Sequence, residues 1–164
     1  MIKVPKDVKV DEIPLEKMYS SVLRGLLTRI KTLYEAIYTR FGNDGLDLIR
    51  EVSGSYGNEI AHRVRGEDEP WDIQKVGLFL IKVFNNMRAE GEVTEFGKSR
   101  VSIKVPQCPY PFEDAEICAA HTAMENALVK GLNSKLDYYI EKCIPSGDPY
   151  CLHVLSDESK VKGT

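Results

Sequence analysis

The spacing of apolar residues changes along this chain, and the change limits the folds that the chain can adopt. From Leu15 to Met87 the apolar residues recur at steps of three and four, which is the period of helices that bury one face. Between Val93 and Val105 they alternate with polar residues, which is the period of strands with one covered face. We therefore expect helices that cover one face of an antiparallel sheet.

The predicted elements follow from these patterns and from the glycines and prolines that interrupt them. The predicted fold class is α+β, with three N-terminal helices, a β-hairpin, a further helix and a second β-hairpin. The helices are expected at 15–41, 44–64, 71–90 and 113–133, and the hairpins at 93–105 and 136–155.

We predict a single α+β domain at 15–155. Residues 1–14 are expected to form an extended arm, because Pro5 and Pro14 block helix formation, and residues 156–164 a polar, flexible tail. A chain of 164 residues can bury a sizeable core without disulfides or a structural metal.

The third predicted helix is apolar over an unusually wide arc, from Trp71 to Met87. Such an arc indicates a helix that is covered on two sides, or one that also contacts a second subunit. We therefore expect a homodimer, with the first and third helices as its interface. A chain that only dimerised in this way would be an adaptor.

Charge and hydropathy exclude several classes of partner. The net charge of -3 and the pI of about 5.7 argue against nucleic-acid binding, which usually needs a basic surface. No apolar run approaches the roughly 20 residues of a membrane span, and the N-terminus lacks the apolar core of a signal peptide. We expect a cytoplasmic protein with reduced thiols and no membrane partner.

Two glycines interrupt the second predicted helix, at Gly54 and Gly57, on either side of Tyr56. Each costs about 1 kcal/mol relative to alanine in a helix interior. Close helix packing, a kink or space for a ligand would offset that cost, and the sequence leaves these explanations open.

All four cysteines fall in the last third of the chain, at Cys108, Cys118, Cys143 and Cys151. The first two are joined by a short proline-rich loop, and the last two lie on paired strands, so one cluster of four thiols is possible. Such a cluster suits zinc or an iron–sulfur cluster, although the tight spacing of common zinc knuckles is absent. The cysteines could also simply be small core residues.

A second interpretation is thiol chemistry. Cys118 lies in the first turns of the predicted fourth helix, where backbone dipoles favour the thiolate, and His121 follows one turn later. A cysteine–histidine pair can attack an electrophilic carbon, with the histidine as base. The candidate catalytic residues are therefore Cys118 and His121.

The chain also resembles a known family through short motifs between Leu15 and Leu155. These are Cys108-Pro109, Cys118 at the head of a helix, the run Gly147-Asp148-Pro149-Tyr150-Cys151, and, upstream, Tyr56-Gly57 and Ile60-Ala61. In these motifs it resembles the L-2-amino-thiazoline-4-carboxylic acid hydrolase-like family. Its element order is similar to the wider 4-vinyl reductase and trafficking-complex ligand-binding fold.

The resemblance implies hydrolysis of a carbon–nitrogen bond in a cyclic amidine. It also implies that the family's cysteine positions correspond to Cys108, Cys118 and Cys151 of this chain, whereas Cys143 has no counterpart. The family pattern has an acidic residue after the last cysteine, where this chain has Leu152-His153. We thus expect a small-molecule hydrolase with a cysteine-rich site, or a non-catalytic module of the same fold that binds a metal or another ligand.

Overall fold

The computed structural model describes residues 12–67 and 69–157. In these ranges the chain forms five α-helices, one 3₁₀ helix and four strands, so the predicted α+β fold class is confirmed. The helices are α1 (Leu15–Phe41), α2 (Asn43–Arg65), α3 (Ile73–Asn86), α4 (Ala115–His121) and α5 (Ala123–Leu132). The strands are β1 (Glu92–Phe96), β2 (Arg100–Val105), β3 (Asp137–Lys142) and β4 (Cys151–Ser156), and Ile144–Ser146 is the 3₁₀ helix.

The four strands form one antiparallel sheet in the order β1-β2-β4-β3. Both predicted hairpins are present, and the pairing of β2 with β4 joins them. The register places Val105 beside Cys151 and Ile103 beside His153. The end of β2, which leads into the loop with Cys108, therefore lies next to the start of β4.

Two helices show how local signals set the helix ends. α1 has the predicted bounds, because Pro14 precedes it and Gly42 ends it at φ +58°, a conformation that favours glycine. α3 is shorter than predicted. The carboxylate of Asp72 caps its start by accepting a hydrogen bond from the Lys75 backbone at 2.7 Å, and Arg88, at φ +66°, cannot continue it.

The single helix predicted at 113–133 is instead two helices, α4 and α5. They meet at Thr122, whose hydroxyl donates a hydrogen bond to the carbonyl oxygen of Cys118 at 2.8 Å. A threonine that bonds to the carbonyl one turn earlier bends a helix. The bend lies between His121 and Glu125, so it sets the relative position of these two side chains.

Gly57 of α2 and Gly131 of α5 allow close helix packing, whereas Gly54 has only ordinary contacts around it. A Cβ at Gly57 would collide with the carbonyl oxygen of Met124 in α5, and one at Gly131 would lie 2.5 Å from the Cβ of Ala61. The backbones of α2 and α5 can approach this closely only because both positions are glycine. Tyr56 is half exposed and does not line the cavity described below.

The described residues bury two apolar clusters. The larger one joins α3, α5 and the sheet, and includes Leu80, Val101 and Cys151. The smaller one joins α1, α2, α4 and the loop 106–112, and includes Ile49 and Cys118. The predicted site residues therefore lie where the two clusters meet.

The apolar line of α1 is mostly exposed. Leu27 is the buried residue of this helix, whereas Leu15, Val22 and Leu26 expose 74%, 56% and 54% of their surface. The wide apolar arc of α3 is instead covered by the sheet and the other helices over most of its width, and Leu78 is its one exposed large apolar residue. The feature that suggested a subunit contact through α3 is thus explained within the chain.

The predicted ends of the domain lie mainly outside the described residues. Residues 1–11 of the predicted arm and 158–164 of the predicted tail are among those not described. Ser156, predicted as tail, belongs to β4, and the backbone of Asp157 donates a hydrogen bond to the carbonyl oxygen of Ser99 at 2.9 Å. The sheet therefore extends further toward the C-terminus than expected.

Candidate functional site

A partly enclosed cavity of about 100 Å³ lies between the two apolar clusters. α3 lines it with apolar side chains, and the loop 106–112, α4, α5 and β4 contribute the titratable ones. These are Cys108, Tyr110, Cys118, His121, Glu125, Cys151 and His153. The structure therefore brings three of the four predicted cysteines to one wall together with His121.

His121 is buried among aromatic rings at the end of α4. The ring centroids of Tyr110, Phe112 and Tyr34 lie 4.2, 5.3 and 5.8 Å from that of the imidazole. Neither ring nitrogen of His121 has a hydrogen-bond partner. Burial lowers the pKa of His121 to about 4, so the imidazole is neutral at pH 7. No hydrogen bond joins it to Cys118, its predicted catalytic partner.

Glu125, in the first turn of α5, is also buried, with 9% of its surface exposed. Burial raises the pKa of its carboxyl group to about 7, although a hydrogen bond with the backbone opposes the rise. Its Oε2 has no hydrogen-bond partner. A carboxyl group with this pKa can donate or accept a proton near neutrality, which is what general acid–base catalysis needs.

The unpartnered atoms of His121 and Glu125 are shielded from water by their neighbours. A ligand in the cavity could bond to them only after a neighbouring side chain moved aside or the residue changed its rotamer. Buried polar groups without partners are rare in folded proteins, because leaving them unpaired costs about 1–3 kcal/mol each. Two such groups on one apolar cavity can be satisfied by an ordered water or by a ligand.

The turn between β3 and β4 carries the last two cysteines toward α4. The backbone of Cys143 donates a hydrogen bond to Asp148 at 2.8 Å, and that of Ile144 donates one to the sulfur of Cys151 at 3.3 Å. The sulfur of Cys143 lies 3.9 Å from that of Cys118. All four cysteines are free thiols.

The three thiols that line the cavity, Cys108, Cys118 and Cys151, are held in their protonated form. Burial raises the pKa of Cys108 to about 12 and raises the pKa values of Cys118 and Cys151, and the neighbouring thiols raise them further. At Cys118, this burial outweighs the thiolate preference expected from its position near a helix start. The arrangement therefore does not supply a resting thiolate nucleophile at Cys118.

The predicted metal ligands fit a metal only in part. Sulfur atoms that share a tetrahedral zinc at about 2.3 Å lie about 3.8 Å from one another, which matches the separation of Cys118 and Cys143. Across the described ranges, however, no group of three or more His, Cys, Asp or Glu side chains is arranged to hold a metal ion. The zinc or iron–sulfur site at Cys108, Cys118, Cys143 and Cys151 stays a prediction.

His153 also lines the cavity, but unlike His121 it has a hydrogen-bond partner. Its Nδ1 and the hydroxyl of Tyr138 are 2.6 Å apart, and its ring centroid lies 4.6 Å from that of Phe84. Burial lowers its pKa to about 4. The hydrogen bond to Tyr138 satisfies one ring nitrogen, which distinguishes His153 from His121.

Comparison of the sequence with models of known protein families finds no match, and a search of curated proteins finds no significant relative. Among the described residues, no helix has both the length and the hydropathy needed to cross a bilayer.

Proposed function

We propose that this protein binds a small organic molecule in the cavity and hydrolyses a carbon–nitrogen bond of a cyclic amidine. The observation that carries the proposal is the pair His121 and Glu125, two buried titratable side chains with unpartnered polar atoms on one apolar cavity. The family resemblance supplies the bond type. A cavity with an apolar body and a few converging polar groups is typical of small-molecule sites.

Glu125 is the acid–base group that the geometry favours. Its carboxylate pairs with the protonated amidine and accepts a proton from the attacking water as the water oxygen bonds to the amidine carbon. The Glu125 carboxyl group then passes this proton to the ring nitrogen, the bond from the carbon to that nitrogen breaks, and the nitrogen leaves as an amine. The hydroxyl group on the carbon gives its proton to the departing amine, which becomes an ammonium ion, and the carbon becomes a carbonyl. Water is consumed and no oxidant or reductant is needed.

The roles predicted for Cys118 as nucleophile and His121 as base stay predictions. The raised pKa of Cys118 favours water over the thiol as the attacking group. A neutral imidazole at His121 offers one donor and one acceptor, and so can orient the substrate or the water by hydrogen bonds.

The test is a ring-opening assay with 2-amino-2-thiazoline, in which the appearance of the primary amine product is measured. We expect turnover by the wild-type protein and a loss of about 100-fold or more in Glu125→Gln, the usual effect of removing a general acid or base. Glu51→Gln, at an exposed position of α2, is the matched control. Absence of turnover, or full activity of Glu125→Gln, would reject the proposal.

The 3.9 Å separation of the Cys118 and Cys143 sulfurs supports a second candidate, a module that binds a metal without catalysis. Free thiols suit the reducing cytoplasm in which we place the protein. Metal and acid-labile sulfide analysis of protein purified without oxygen tests this candidate. One zinc per chain, lost in Cys143→Ser, would support it, and protein without bound metal or sulfide would reject it.

We further propose that the protein forms a homodimer through the exposed face of α1. Seven large apolar side chains of this helix are at least two-fifths exposed, namely Leu15, Met18, Tyr19, Val22, Leu26, Leu33 and Phe41. Together they expose on the order of 700 Å², close to the roughly 800 Å² that each partner buries in a stable interface. A second copy of the same helix offers the matching apolar face.

A further inference from the structure

The described residues that line the cavity include one acidic side chain, Glu125, and no lysine or arginine to balance it. His121 and His153 are neutral at pH 7, since burial lowers their pKa values to about 4. A carboxylate bound here would lose its hydration without gaining a cationic partner, which is strongly unfavourable.

The same wall is rich in aromatic rings. Phe79 and Phe84 of α3 and Tyr110 and Phe112 of the loop 106–112 line the cavity. The faces of aromatic rings carry partial negative charge and attract cations, most strongly where water is excluded. The rings also provide apolar contact area for the rest of a ligand. Aromatic faces together with one carboxyl group form a typical site for an organic cation.

We propose that the ligand is an apolar organic cation, a protonated amine or amidine without a carboxylate group, and that Glu125 is its counter-ion. This inference rests on the proposed function and narrows its substrate class. The neutral imidazole of His121 accepts or donates one further hydrogen bond beside the cation. A substrate that carries both an amidine and a carboxylate group is thereby excluded.

Binding of a cation is linked to the proton on Glu125. The titratable groups around it are Cys108 and Tyr110 from the loop, Cys118 and His121 from α4, Tyr138 from β3, and Cys151 and His153 from β4. The thiols and phenols have raised pKa values and the histidines lowered ones, whereas α2 and α3 line the cavity with apolar residues. Glu125 is therefore the group on this wall that changes charge between pH 6 and pH 8.

A matched series of small probes tests the proposal. Isobutyramidine, isobutyramide and isobutyrate have the same shape and are cationic, neutral and anionic at pH 8. Binding is followed by NMR of protein labelled with ¹³C in its methionine methyl groups. Met87 and Met124 line the cavity, while Met18 lies exposed on α1 and serves as an internal control.

We expect isobutyramidine to shift the methyl signals of Met87 and Met124 but not that of Met18. Isobutyramide and isobutyrate should bind at least about tenfold more weakly. Because the pKa of Glu125 is about 7, affinity for the amidine should fall about tenfold from pH 8 to pH 6, since the proton must leave first. Isobutyrate binding as tightly as the amidine, or no shift with any probe, would overturn the proposal.

Glu125→Gln keeps the shape of the side chain and removes its charge. The variant should lose the preference for the amidine over the amide, and an unchanged preference would overturn the assignment of Glu125. If the variant does not fold, calorimetry on the wild-type protein decides instead. At pH 6 the binding heat should vary with the ionisation enthalpy of the buffer, because a proton is released, and a buffer-independent heat would contradict the inference.

The two proposals fail in different ways. Amidine binding at Met87 and Met124 without any ring opening would reject the hydrolase and leave the cation site in place. Ring opening that is faster for a carboxylate-bearing thiazoline than for 2-amino-2-thiazoline would reject the cation site and leave the hydrolase in place.

Discussion

Gly57 of α2 and Met124 of α5 are in backbone contact, and the carbonyl oxygen of Met124 occupies the space that a side chain at position 57 would need. Met124 lines the cavity and precedes Glu125. The contact therefore fixes α5, and with it the carboxyl group of Glu125, at a set distance from α2. Gly57 thus supports the candidate site only by allowing the two helices to approach closely.

This contact predicts opposite effects for two neighbouring glycines. Gly57→Ala should lower the free energy of unfolding by about 1–3 kcal/mol, because the helices must separate to admit the Cβ. Gly54→Ala should raise it by about 0.5–1 kcal/mol, because the nearest atom, the carbonyl oxygen of Ala123, would lie at an ordinary 3.9 Å and alanine favours helix. Urea unfolding of both variants checks this. Equal effects would show that the contact is not tight.

The carboxyl group of Glu125 predicts a pH-dependent difference between wild type and Glu125→Gln. Its pKa is near 4.5 in the unfolded chain and about 7 in the native protein. Between these values the native state keeps a proton that the unfolded state has lost, so this group makes the protein less stable as pH rises. The free energy of unfolding of the variant relative to wild type should therefore rise by up to about 3 kcal/mol from pH 4.5 to pH 7.

The two buried histidines change the free energy of unfolding with pH in the opposite direction, since their pKa values are lowered to about 4. They reduce stability as pH falls below about 6.5. For this reason the comparison uses the difference between two proteins, in which the histidine contributions cancel. Glu51→Gln should give a flat difference across the same range, and a flat difference for Glu125→Gln would place its carboxyl group in water.

Buried, protonated thiols predict slow alkylation. At pH 7.5, Cys118 and Cys151 should react with iodoacetamide at least about 100-fold more slowly in the native protein than in urea, because both burial and a raised pKa reduce the thiolate fraction. Mass spectrometry of the labelled peptides measures each site. A fast native reaction at Cys118 would restore the covalent mechanism with that residue as nucleophile.

The exposed face of α1 predicts a dimer that a charge can break. Leu26→Glu should convert the protein to a monomer, because it buries a carboxylate in the proposed interface. Thr28→Glu adds the same charge at an exposed position two residues away, which faces another direction, and should leave the dimer intact. Sedimentation velocity distinguishes the two states. A monomeric wild-type protein at high concentration would contradict the proposed dimer.

Local patterns predicted the fold well because they report secondary structure directly. The repeat from Leu15 to Phe41 gave α1 its correct bounds, and the alternation after Gly91 gave the first hairpin. The same repeat did not show what covers α1, since periodicity identifies an apolar face and not its partner. The separate apolar repeat at 113–133 ran through Thr122 without a break, because the bend there comes from one side-chain hydrogen bond.

The cysteine segment predicted to hold the site lies beside the cavity, but the sequence patterns did not single out Glu125. The topology that pairs β3 with β4 explains why Cys143 and Cys151 reach α4, as the hairpin pattern suggested. Glu125 was missed as a site residue because a glutamate in an amphipathic helix normally faces water. Its spacing of four residues from His121 and seven from Cys118 was visible, but its burial depends on α3 and the loop 106–112, which are distant in sequence.

The most direct test of this account is the pKa of Glu125, measured by ¹³C NMR of its side-chain carboxyl group and assigned by comparison with Glu125→Gln. We predict a midpoint near pH 7 in the free protein and a clear decrease when isobutyramidine is bound, because the cation stabilises the carboxylate. A midpoint near 4.5 that does not respond to the amidine would contradict the assignment of Glu125 as the centre of the site.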